Sequence, residues 1–181
     1  MTDPAPWVHT IVATATARPP TLGSARLICI DGPAGSGKTT LATAVAAHTA
    51  GHVVHMDDLY PGWSGMDGAD AEVASLLEPL ARDEAGSYRR FDWEQDAYAE
   101  RVWVPPTPYL ILEGVNSGNR RWARWCTVLA WVEADEATRL ARGIARDGEG
   151  VRGRWEQWML EETDLYSREA TRARADLTMH T

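Results

Sequence analysis

"RLICIDGPAGSGKTTLATAV", Arg26 to Val45, decides the fold. "RLICI" is an apolar run suited to a central parallel strand buried on both faces. "TTLATAVAAHTA" is Ala-rich and predicts a helix stopped by Gly51. Between them "GPAGSGKT", Gly32 to Thr39, matches the pattern G-x-x-x-x-G-K-[ST] at every fixed position. Glycines let the backbone wrap closely and aim N–H groups at phosphate oxygens, and the following helix N-terminus adds its dipole. Gly32, Pro33, Ala34, Gly35, Ser36, Gly37, Lys38, Thr39 and Thr40 are therefore the expected nucleotide-phosphate site. Lys38 brings a compact charge to the β- and γ-phosphates, and Thr39 offers a hydroxyl to Mg²⁺.

Composition sharpens this reading. Of the 18 basic residues, 17 are arginine, and the one lysine is Lys38. Guanine-specific GTPases share an Asn-Lys-x-Asp motif, which a chain with its single lysine already in the loop does not contain, so ATP is the expected nucleotide. The 26 acidic residues give a net charge of -8, which disfavours broad contact with nucleic acid or an anionic membrane. Cys29 and Cys126 lie in apolar runs and read as reduced, buried residues. With no secretory signal and no run of about 18 apolar residues, the expected setting is cytoplasmic.

Outward from the loop, strand and helix patterns alternate. "HVVHM", "YLILEG", "TVLAWVE" and "ADLTM" read as strands. Residues 5–16, "ADAEVASLLEPLAR", "DEATRLARGIARD" and "WEQWMLEETDLYSREATRA" read as helices. "YRRFDW" is extended or loop, and "DAYAERVWVPPTP" is ambiguous between strand and helix. The expected class is α/β, a three-layer sandwich with a mostly parallel sheet and helices on both faces. The chain divides into an N-terminal helix and linker over 1–24 and one domain over 25–181, with an acceptor segment at about 58–93 and a lid at about 142–155.

Parallel strands bring their carboxyl ends to one rim, so Asp57 and Asp58 of "HMDDLYPGW" and Glu113 emerge beside the phosphate loop. The residues alone leave a general base, a magnesium ligand and a turn or helix cap open for the aspartate pair. Glu113, before Gly114, is a candidate Mg²⁺ ligand with Thr39. Tyr60, Arg90, Phe91, Asp92 and Trp93 offer faces and polar hooks to a phosphoryl acceptor, whereas Trp122/Trp125 and Trp155/Trp158 look like packing pairs. Arg139, Arg142 and Arg146 share one helix stripe, with Leu140 and Ile144 turned elsewhere to pack, and Arg152 and Arg154 follow in a Gly-rich loop that can open and close.

"GPAGSGKTT", "MDDLY", "FDW", "ILEG", "RLARGIARD" and "RADLTM" occur in an order and spacing that resembles the uridine kinase-like branch of P-loop kinases, which also holds phosphoribulokinases and a pantothenate kinase type. The resemblance spans about residues 26–179. It implies an ATP- and Mg²⁺-dependent kinase with Asp57 as catalytic base, Phe91 and Asp92 near the acceptor, Glu113 at the metal, and Arg142 and Arg146 on the transferring phosphoryl group. The acceptor is then a small hydroxyl compound such as uridine. An NTPase or ATP-binding module without an acceptor, or a kinase for a sugar or vitamin precursor, are the alternatives.

Overall fold

The computed structural model describes residues 4–63, 66 and 68–181; residues 1–3 of the N-terminal segment and 64, 65 and 67 of the expected acceptor segment lie outside the described residues. Five parallel strands form the central sheet: β1 (Arg26–Asp31), β2 (His52–His55), β5 (Tyr109–Glu113), β6 (Cys126–Glu133) and β7 (Leu177–His180). Their order is β2-β5-β1-β6-β7. The helices are α1 (Ala5–Thr16), α2 (Lys38–Thr49), α3 (Asp70–Leu80), α4 (Glu136–Asp147), α5 (Arg152–Glu169) and the short α6 (Thr171–Arg174). Among the described residues no helix is long and apolar enough to cross a membrane.

The three layers follow from the two-residue period of β1. Ile28 and Ile30 face a cluster with Leu41, Ala42 and Val45 of α2 and with Val8, Ile11 and Ala15 of α1. Leu27 and Cys29 face the opposite way, into a cluster with Leu76, Leu77 and Leu80 of α3 and Trp158 and Leu165 of α5. The helix over 5–16 is thus packed into the core through its i, i+3, i+7 positions. Its C-terminal end lies at the start of the sheet: Thr16 Oγ1 is 3.2 Å from Tyr109 Oη, and Arg26 Nε donates to Ala15 O at 2.9 Å. Its N-terminal end therefore points to the rim where the strands finish.

One stretch left open in the sequence is settled by the structure, and one segment departs from expectation. "YRRFDW" and the ambiguous stretch after it form an antiparallel hairpin, β3 (Gly86–Asp92) with β4 (Ala97–Val104), as a separate two-stranded sheet. Asp92 turns the chain by accepting from the Glu94 and Gln95 amides at 3.1 and 3.0 Å, and Asp96 takes a left-handed φ of 49°. β4 is largely exposed, so its sequence lacks a clean apolar alternation. The supposed Gly-rich loop at 148–154 is a 3₁₀ turn over Glu149–Val151 running directly into α5, so Arg152 and Arg154 are helical. Arg152 bonds Glu149 at 2.5 and 3.0 Å across that turn, and Trp155 packs onto Gly143 of α4, where a Cβ would come within 2.5 Å of the indole.

Asp31, at the end of β1, is fully buried. It accepts from the amides of Gly32 (2.7 Å), Asn116 (3.0 Å) and Gly118 (2.8 Å) and from Tyr166 Oη (2.7 Å). Burial pushes its carboxyl up, against these donors and the charge of Lys38. One side chain thus ties the β1 and β5 exit loops to α5. Asp31→Ala strands several buried donors, each worth roughly 1–3 kcal/mol; a loss of about 3 kcal/mol or more, seen as a melting point lowered by roughly 6–12 °C, is expected in thermal denaturation.

Candidate active site

The loop after β1 needs glycine for two physical reasons. Gly32 has φ 139° and Gly35 has φ 77°. A Cβ on Gly32 would stand 2.0 Å from Val132 O, and one on Gly35 would stand 2.6 Å from Arg139 O. Close approach and left-handed backbone together exclude side chains there. α2 starts at Lys38 with no side-chain cap, and its first intrahelical bond is Leu41 N to Gly37 O at 3.3 Å. The amides of its first turn are left for a ligand at the loop. Lys38 is nearly buried, and its Nζ donates to Pro33 O at 2.9 Å.

A buried ion pair braces the loop from behind. Arg139 of α4 and Glu162 of α5 are paired, and both reach Ala34: Glu162 Oε2 accepts from its amide at 2.8 Å, and Arg139 Nη1 donates to its carbonyl at 3.2 Å. Burial raises the Glu162 pKa, opposed by the Ala34 amide and by the charges of Arg139 and Lys38. Arg142 Nη1 holds Gly35 O at 3.2 Å and Thr181 Oγ1 at 3.0 Å, while Thr181 Oγ1 donates to Ser36 O at 2.8 Å.

On the other side of the loop, β5 stands between β1 and β2, so Ile30 and His55 are both in register with Glu113. Glu113 accepts from Thr39 Oγ1 at 3.2 Å and from His55 Nδ1 at 2.5 Å. The bond to Glu113 raises the His55 pKa against partial burial. Asp57 and Asp58 sit on a 3₁₀ turn, Met56–Asp58, that leaves β2 beside this pair. Asp57 is exposed and lines the cleft. Its surroundings, and after them Glu113, raise its pKa, against the pull of Lys38, Arg146 and His55.

Lys38, Thr39, Asp57, Asp58, Glu113, Arg142, Arg146 and Trp93 all line one cleft of about 980 Å³. Other expected site residues lie elsewhere. Tyr60 is fully buried, its hydroxyl donates to Val115 O, and its ring meets Trp158 at 5.4 Å. Phe91 is buried between Trp93 and Tyr98. Arg90 is bound to Glu100 at 2.7 Å and to Asp92 at 3.4 Å, and Asp92 holds the hairpin turn. Of those five, Trp93 alone borders the cleft; its Nε1 donates to Asp57 O at 2.9 Å, and its ring meets Trp63, a further lining residue, at 5.6 Å. Trp155 and Trp158, expected only to pack, are almost buried and still line the cleft.

The arginine stripe faces inward, with Arg139 and Gly143 buried and Leu140 and Ile144 only half-buried. Arg139 is structural, Arg142 bridges the loop to the segment after β7, and Arg146 bonds Asp147 at 2.7 Å at the mouth. Arg154 lines the cleft; Arg152 does not. His55 and Glu162 are the partners missed in the sequence, because neither belongs to a local motif. Only the adjacency of β2 to β5, and of α5 to the loop, reveals them.

A parallel α/β sheet whose central strand runs through a glycine loop into an uncapped helix, with a lysine and a carboxylate-bonded threonine on one cleft, defines a P-loop protein. The fold is that of P-loop kinases. A structure provisionally named a uridine kinase, from Bacillus stearothermophilus, matches at 19% identity over 95% of this chain and 96% of its own, with a TM-score of 0.67. One provisionally named a fructose transport system kinase, from Silicibacter sp. TM1040, matches at 21% identity over 98% and 99%, with a TM-score of 0.71. At these identities the likeness is one of fold. No protein-family profile and no curated protein matches the sequence.

The cleft suits a nucleoside triphosphate: the loop amides and Lys38 fit phosphate oxygens, and Thr39 and Glu113 are hard oxygen donors that fit a Mg²⁺ arriving with its phosphates and water. His55 orients Glu113 from behind, as outer partners of metal ligands do. His55→Leu is expected to raise the Mg²⁺ concentration for half-maximal ADP formation by about 10-fold or more, read by Mg²⁺ titration at saturating ATP.

Proposed function

We propose that this protein is an ATP- and Mg²⁺-dependent phosphotransferase acting on an alcohol group, in the manner of the uridine kinase-like enzymes. One observation carries the reading: the carboxylate of Asp57 and the phosphate-binding Lys38 and Thr39 line the same cleft. The loop amides and Lys38 hold the β- and γ-phosphates. Asp57, exposed to the cleft, receives the acceptor's hydroxyl proton. Arg146 and Arg154 place guanidinium charge around the transferring group, and Arg142 adds its charge from the loop itself, where it is bonded to Gly35 O and Thr181 Oγ1. Thr39 and Glu113 are the residues that would hold Mg²⁺, whose charge would neutralise the phosphates. Asp58 lies beside the base and borders the cleft as a supporting group.

The acceptor end is bounded by Trp63, Trp93 and Trp158, faces suited to a compact planar molecule, and a nucleoside such as uridine is the acceptor we assign first. A non-nucleoside acceptor is the second reading, favoured by the packing of Tyr60 and Phe91 away from the cleft. Incubation with ATP, Mg²⁺ and a panel of nucleosides, sugars and vitamin precursors separates these from simple hydrolysis: a phosphorylated product is expected, and ADP formation indifferent to every acceptor contradicts the kinase reading.

Asp57→Asn is expected to lower kcat by about 10²- to 10⁴-fold while ATP affinity stays within a few-fold, with Asp58→Asn costing far less. Full turnover by the Asp57 variant removes its assignment. Because a base must be ionised and Asp57 in the free protein holds its proton more tightly than an aspartate at the ordinary 3.8, the acid limb of the kcat/KM profile, which reports the free enzyme, is expected above that value and to vanish in the Asp57→Asn variant.

A further inference from the structure

The cleft lining is not confined to the flank of β1 that carries Asp57. The carboxylates that face the γ-phosphate come from β2 and β5, on one flank of β1. The same cleft is also lined by Trp7 of α1, by Leu41 of α2 and by Met179, His180 and Thr181 at the end of β7, a strand on the other flank of β1, and Trp7 and Met179 share one core cluster. Trp7 is half-buried: it packs against the α1–α2–sheet core and still borders the cleft. α1 brings it there because that helix runs back from the start of the sheet to its carboxyl rim.

The charges in this region are already engaged. His180 is 3.2 Å from Glu133, Glu133 is also bound by Arg172 at 2.7 Å, and Arg142 holds Gly35 O and Thr181. An indole face beside an apolar floor with its ionic groups paired suits a flat neutral ring better than a second anion.

We infer that Trp7, with the Met179–Thr181 segment that lines the same part of the cleft, is the stacking platform for the nucleobase of the bound triphosphate, so that the N-terminal helix is part of the nucleotide site. This rests on the nucleotide reading above and needs no acceptor or phosphoryl transfer. Base–aromatic stacking is of a size that alanine substitution reveals as roughly a 5- to 100-fold loss of affinity.

Calorimetric titration of the full chain with Mg²⁺-ATP and with Mg²⁺-tripolyphosphate, which has no base, tests it. Trp7→Ala is expected to weaken ATP about 5- to 100-fold and leave tripolyphosphate within about two-fold; Trp7→Phe is expected to recover most of the ATP affinity. Equal weakening of both ligands, no weakening of ATP, or wild-type affinity for tripolyphosphate matching that for ATP overturns the proposal. Should the alanine variant not fold, photolabelling of the wild type with 8-azido-ATP decides: label on peptides holding Trp7 or Met179–Thr181 supports the platform, and label confined to other peptides overturns it. Wild type that binds neither ligand sinks the nucleotide reading itself, whereas ATP binding without any turnover removes only the kinase step.

Discussion

A loop that binds anions through its own amides has to be kept open by something other than the anion. Here two buried carboxylates do it. Asp31 gathers the amides of Gly32, Asn116 and Gly118, and Glu162, neutralised by Arg139, holds the amide of Ala34. Each negative charge is tolerated inside the protein because it is surrounded by donors, and removing its partner would leave it uncompensated. With the backbone pinned from below and behind, the loop offers the first-turn amides of α2 without a conformational search, which is preorganisation in its simplest form.

The same architecture divides the cleft. β1 lies in the middle of the sheet, so whatever emerges from β2 and β5 stands on one side of the loop and whatever emerges from β6 and β7 stands on the other. Acids gather on the first side: Asp57, Asp58 and Glu113, with His55 tethering Glu113. Trp63 and Trp93 stand with them, Trp93 bonded to Asp57 O. Trp7 and Met179 border the cleft as well, without a carboxylate of the Asp57–Glu113 group on their side of β1.

Arginine takes three different parts along one helix face. Arg139 sits deep, where its guanidinium bonds a carboxylate and a carbonyl at once; Arg142 reaches a loop carbonyl and a hydroxyl; Arg146 lies at the exposed mouth, close enough to Asp57 for each to shift the other's pKa. The planar fork with five donors makes such graded use available where a lysine would satisfy fewer acceptors. The lid expected for this region is the end of α4, a 3₁₀ turn over Glu149–Val151 and the start of α5, with the Trp155 side chain packed on Gly143 and bonded to Asp147.

Local chemistry was legible without coordinates. The glycine loop, the strand–loop–helix unit around it, the parallel α/β class and the placement of Asp57 and Glu113 at strand ends all follow from short stretches whose residue types dictate backbone and periodicity. What the chain could not show by itself is which stretches become neighbours. His55 faces Glu113 only because β2 pairs with β5, and Trp7 reaches the cleft only because α1 packs back along α2. Tyr60 and Phe91 look equally fit for substrate or core until the loop after β5 and α5 meet Tyr60 and the hairpin of β3 and β4 sets Phe91 between Trp93 and Tyr98. Patterning within a segment is set by covalent geometry and solvent, but contact between distant segments is set by how buried faces share one interior, and that is decided only when the whole chain packs.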